Sequence, residues 1–141
     1  MPDIRTNARG LKVIPFGFRH KASDDPDFLW QANAGDVTSV VKDATTGGTY
    51  TVQLEYPYPR QIVAAMASLH SATADTGEIA SVRVDLDSYD PATGLFDIEV
   101  YTDDGDGTLT VEQPIDNTAI TVVLFCQMVE ALATQAGEAH A

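Results

Sequence analysis

The sequence predicts an all-β protein: a single-domain antiparallel β-sandwich, jelly-roll, immunoglobulin-like or barrel-like, with an extended N-terminal arm. Three observations carry this. Between Ile79 and Val111, apolar and polar residues alternate in three successive runs. Clusters of turn-forming residues separate the runs at short intervals. At 141 residues and 44% hydrophobic content, the chain suits one domain with a substantial core. A period of two sends alternate side chains to opposite faces of a strand, one face buried and the other solvated.

The elements follow in order. Residues 1–10 carry scattered charge and few apolar groups and read as an arm. Leu11–Arg19 has strand composition, with Pro15 expected to set it at a sheet edge or to break it, because proline has no amide hydrogen. Ser23–Asp27 reads as a loop. Phe28, Leu29 and Trp30 read as a buried apolar anchor holding the one tryptophan. Ala34-Gly35-Asp36 turns the chain into a strand at Val37–Val41, and Asp43–Gly48 is a hairpin-type connection with two glycines. Tyr50, Val52, Leu54 and Tyr56 then alternate with Thr51, Gln53 and Glu55 until Pro57 and Pro59 end the run.

Arg60–His70 stays open between two readings. Ile62, Val63, Met66 and Leu69 fall at helical spacing and three alanines favour helix, yet the same residues suit a buried strand. Ser71–Gly77 reads as a loop. In the central stretch, Val82, Val84 and Leu86 alternate with Arg83, Asp85 and Asp87. Ser88–Gly94 turns the chain, and Phe96, Ile98 and Val100 alternate with Asp97, Glu99 and Tyr101. Asp103–Gly107 turns it again into Leu109 and Val111. After a turn at Gln113–Thr118, Ile120–Val129 is apolar on both alternating faces. A strand of that kind is covered on both sides. In a two-layer sandwich the second cover comes from another segment or another subunit, which points to a homo-oligomer. The expected organisation is a basic arm over 1–21, a sandwich over 22–130 and a mobile tail over 131–141.

Charge is unevenly placed. The net charge is −13, but five of the eight lysines and arginines lie in the first 21 residues: Arg5, Arg9, Lys12, Arg19 and Lys21. These are the candidate partner-binding residues, reaching either the chain's own domain or an acidic neighbour. The acidic remainder repels nucleic acid phosphates, so no nucleic acid partner is expected. No apolar run reaches 18 residues and the first residues lack the apolar segment of a signal peptide, so no membrane partner and no export are expected.

Chemistry-bearing motifs are scarce. Asp103, Asp104 and Asp106 form a calcium candidate, since Asp-Asp-Gly-Asp-Gly resembles part of an EF-hand loop. Placing the loop glycine at Gly107 puts Thr102 and Gln113 at the two end positions, where ligation needs acids. A hairpin turn with solvated acids is the competing reading, so no metal is assigned. Asp85, Asp87 and Asp90 read as a solvated acidic face. A glycosidase pair would need a cleft with aromatic walls. His20, His70 and His140 share no metal-ligand spacing with one another or with Cys126, and Cys126 reads as a small core residue in an apolar run. No nucleophile elbow, phosphate loop or dinucleotide fingerprint occurs. The expectation is a protein without catalytic residues or cofactor, and not an enzyme.

From Thr49 onward the order of features resembles a known style of protein. Tyr50–Pro57 is followed by Pro59–Leu69, Val82–Asp87, Gly94–Val100, an acidic turn and a final apolar strand at Ile120–Phe125. This resembles small β-sandwich virion proteins of tailed bacteriophages, particularly capsid decoration (cement) proteins and related head or tail accessory proteins, over about residues 36–130. The resemblance places a strand at 60–70. It implies a structural role outside the capsid, as a trimer or dimer bridging capsomers, with the major capsid protein or other virion proteins as partners. The implied location is the virion exterior, after synthesis in the host cytoplasm. A head-fibre or tail accessory protein, or a receptor- or carbohydrate-binding module using Tyr56, Tyr58, Tyr89 and Tyr101, are the alternatives.

Overall fold

A computed structural model describes residues 10–45, 47–70, 79–103 and 107–128. Arg5, Arg9, the loop expected at 71–77, Asp104, Asp106, His140 and the tail from 131 lie outside the described residues. The described chain is all-β, with two antiparallel sheets packed as a single-domain sandwich. Its strands are β1 (Leu11–Arg19), β2 (Asp27–Gln31), β3 (Val37–Lys42), β4 (Thr49–Leu54), β5 (Gln61–His70), β6 (Ile79–Asp90), β7 (Leu95–Asp103), β8 (Thr110–Val111) and β9 (Ala119–Gln127). One sheet runs β2-β1-β9-β5. The other runs β3-β4-β7-β6, with β8 pairing β7.

The register explains the burial. In the first sheet Phe16 pairs Val122, Phe18 pairs Ile120 and Ile14 pairs Leu124, and all six are buried. The second sheet answers with Tyr50 opposite Ile98 and Val52 opposite Phe96, also buried. Phe18 and Tyr50 meet across the layers at a ring-centroid distance of 5.0 Å. Each such large side chain withdrawn from water contributes about 1.5–3 kcal/mol before entropy is charged against it. The hairpin turn between β6 and β7 is tied by Asp90, whose carboxylate accepts from the Ala92 amide at 2.9 Å. Its carbonyl accepts from the Gly94 amide at 2.7 Å.

Three expectations need correction. The basic stretch 1–21 is not one arm: Leu11–Arg19 is β1, paired with β9 along its full length. Its apolar alternation buries three large side chains, which holds it inside the sheet. Pro15 neither breaks β1 nor places it at an edge, for β1 lies between β2 and β9. The Pro15 carbonyl accepts from Ala32, so the missing amide hydrogen lies on the side where β2 ends, and the ladder to β9 is intact. Trp30 is no buried anchor, being 42% exposed on edge strand β2.

The stretch 60–70 is a strand. Gln61–His70 pairs β9 from end to end, with a bulge at Ile62/Ala64 that puts Ala65, Ala67 and Leu69 against the core. Long-range pairing overrides the helical preference of the alanines. The run expected at Leu109 and Val111 is only the two-residue strand Thr110–Val111, with Leu109 exposed just before it.

Candidate interaction face

The outward side of the β2-β1-β9-β5 sheet is built row by row from the pairing. Pro15, Val123 and Met66 form one row; Val13, Phe125 and Ala64 form the next. Trp30, Gly17, Thr121 and Ser68 form a third. Trp30 lies over Gly17, which has no side chain to displace it. Val123 and Phe125 are half-buried in the middle of the sheet, while Met66 is 63% exposed and Val63, at the bulge, 43%. Met66, Ser68, Thr121 and Val123 border a shallow groove. Among the described residues, no segment covers this face. The two-sided apolar pattern of β9 was therefore a readable signal. Its neighbours on the face were not, because Trp30 and Met66 join it only through pairings distant in sequence.

Charge separates the two sheets. The strands of the β2-β1-β9-β5 sheet contain one acid, Asp27, and the Lys21 ammonium lies 3.5 Å from it. The outward side of the other sheet carries Asp85, Asp97 and Glu99, with Asp85 directly opposite Asp97. Arg83 donates to Glu99 through Nε at 3.0 Å and through a terminal nitrogen at 2.7 Å. That pairing holds the guanidinium protonated at any ordinary pH.

The predicted partner-binding residues are placed unequally. Lys12 points toward the sandwich interior and pairs Asp36 at 3.0 Å; Asp36 is 6% exposed. Lys21 donates to Asn117 Oδ1 at 2.7 Å. Both cations serve the chain's own domain. Arg19 is exposed at the end of β1. Arg5 and Arg9 lie outside the described residues. Of the calcium candidates, Asp103 is nearly buried and its carboxylate accepts from the Gly107 amide at 3.0 Å, closing the turn. Among the described residues, no cluster of three or more His, Cys, Asp or Glu is placed to hold a metal ion. Cys126 is buried as expected, and burial pushes its thiol up to about 12.

Sequence reasoning missed one buried group. His20 is fully buried, with Nδ1 2.7 Å from the Tyr50 hydroxyl and no hydrogen-bond partner for Nε2 among the described residues. Burial, aided by the charge of Lys42 and opposed by Asp116, lowers its pKa to about 4. Burial raises that of Tyr50. A lone histidine after a strand gives no sign of this in sequence. Of the four tyrosines considered for a carbohydrate-binding module, Tyr56 and Tyr58 meet edge to face at 5.4 Å, with Tyr56 74% exposed. Tyr89 is elsewhere engaged, its hydroxyl donating to the Pro59 carbonyl.

No protein-family model and no curated protein matches the chain. Among solved structures the chain is similar to envelope protein VP37 of White Spot Syndrome Virus. The TM-score is 0.40 and the identity 14%, over 82% of this chain and 94% of that one. A likeness this remote carries no inference about what the chain does.

Proposed function

We propose that the chain is a non-enzymatic structural protein of a virion, of the decoration or cement kind, binding the capsid exterior and bridging capsomers. One observation carries the reading: the two sheets present opposite surfaces. An apolar outward face nearly free of acids asks for cover, whereas the opposing face is acidic and suited to water. That is the surface plan of an assembly component. The partner is the major capsid protein or another virion protein. Arg19 and the N-terminal cations Arg5 and Arg9 supply attraction to an acidic partner surface, since Lys12 and Lys21 are engaged at home.

The test is co-sedimentation of the purified chain with intact particles, for the full chain and for one lacking residues 2–9. This cut spares Gly10, whose carbonyl accepts from the Met128 amide at 2.8 Å, and all of β1. Saturable pelleting of the full chain, lost on truncation with circular dichroism unchanged, is the expected result. Pelleting of neither protein contradicts the virion reading, and equal pelleting of both removes the N-terminal cations from it. The Tyr56–Tyr58 pair favours a second reading, a glycan-binding module, in which aromatic faces stack on sugar rings. A glycan array probed with the wild type and with Tyr56→Ala tests it.

A further inference from the structure

We infer that the outward face of the β2-β1-β9-β5 sheet is closed by the same face of a second copy, giving a two-fold, sheet-on-sheet dimer. The inference rests on the reading of this face as an assembly surface and names its occupant. Charge selects that occupant. Each copy carries −13, so most approaches of two copies bring acid against acid. This sheet is the exception, for its strands hold a single acid, Asp27, beside Lys21. Two such faces meet without an unpaired carboxylate at their centre, and the acidic sheets then point away from each other. A basic partner protein would instead favour the Asp85–Asp97–Glu99 side.

Geometry and area agree. A two-fold axis brings identical patches together, so the patch must be self-complementary. Rows of Val13, Pro15, Val123, Phe125 and Met66 on a pleated sheet interdigitate with a copy of themselves at about 10 Å between sheets, as in a sandwich core. Four strands about 4.8 Å apart and up to about 30 Å long give a face of roughly 500 Å². Two such faces remove about 1,000 Å² in projection, the lower limit for a specific association. The dimer is therefore expected to dissociate on dilution. Trp30 sits on the face and is the one tryptophan of the chain, so its emission reports the closure.

The experiment is mass by light scattering after size exclusion, with tryptophan emission, over a dilution series starting at about 0.5 mM, where an interface of this size is expected to be occupied. Three proteins are compared: wild type, Met66→Glu, and Val41→Glu, which places the same charge on an exposed position of β3 in the other sheet. Ser68→Glu, also exposed on the face, replaces Met66→Glu should the latter fail to fold. The expected result is a mass of twice 15.1 kDa for the wild type and for Val41→Glu, with emission shifting to the red on dilution. Met66→Glu is expected to weaken the dimer at least tenfold. A wild-type monomer at every concentration overturns the inference. So does a dimer indifferent to Met66→Glu and Ser68→Glu, or a trimer. A monomer whose emission shifts red when residues 129–141 are removed also overturns it, assigning the face to the chain's own C-terminal segment. Since particle binding is read separately, a monomer that still pellets with particles leaves the virion reading standing.

Discussion

Trp30 lies against Gly17, so closely that a β-carbon at position 17 would collide with the indole nitrogen. The two residues are opposed across β1 and β2. The glycine is thus the seat that lays the indole along the outward face. Gly17→Ala is expected to lift the ring into water, shifting emission to the red and lowering stability by about 1–2 kcal/mol. Urea unfolding with fluorescence detection reads both. An unchanged emission maximum would mean that Gly17 does not set the indole's position.

Gly94 closes the β6–β7 turn with φ of 74°. A β-carbon there would also meet the ring of Tyr58, and the Gly94 carbonyl accepts from the Leu54 amide at 3.0 Å. Gly94→Ala therefore combines backbone strain with a clash, and a loss of about 2–3 kcal/mol is expected in chemical denaturation. A loss under about 0.5 kcal/mol would show that the turn and Tyr58 yield freely.

Lys12 was a candidate for binding a partner, yet it faces a carboxylate of its own chain that is nearly out of water. Removing the ammonium takes the Lys12 ion pair away from that charge and leaves it the weaker Asn33 amide contact at 3.4 Å among its partners. Lys12→Met keeps the stem and is expected to cost about 3 kcal/mol, part of which returns in Lys12→Met with Asp36→Asn. Particle binding by Lys12→Met should equal that of the wild type at temperatures where both are folded. A folded variant that fails to pellet would return Lys12 to the partner surface.

His20 gives stability a pH dependence of known sign. Its folded pKa, about 4, lies below the unfolded 6.5. Between those values the unfolded chain binds the extra proton, so this contribution is fully present above pH 6.5 and is lost as pH falls toward 4. The loss is on the order of 3 kcal/mol. His20→Gln should flatten the slope of unfolding free energy between pH 6.5 and 4 relative to the wild type, whatever the carboxylates add in both proteins. Parallel slopes would remove His20 from the acid response.

How much of this was legible in the sequence follows from how local each signal is. The hairpins at Val82–Val100 read directly, because alternation and turn chemistry lie within one stretch. The buried Cys126 read from its apolar run. Pro15 misled because its effect depends on which side its missing hydrogen faces, and the length of β2 decides that. Trp30 misled because an apolar triplet looks the same whether it packs inward or lies across a glycine in another strand. The outward face was half legible: β9 announced it through Val123 and Phe125. Met66 and Trp30 entered it by pairings that follow from the completed fold. Lys12 and Asp36 show the same limit for charge, since the count of cations was correct and their allegiance was set by topology.

A structural component of a virion, the role proposed for this chain, stays with the particle through purification. Quantitative mass spectrometry of virus particles purified from the source of this sequence therefore tests that role. The expected result is the chain in many copies per particle, in constant ratio to the major capsid protein through successive density gradients. Its absence from the particles, with the chain abundant in the soluble fraction of the producing cells, would rule that role out.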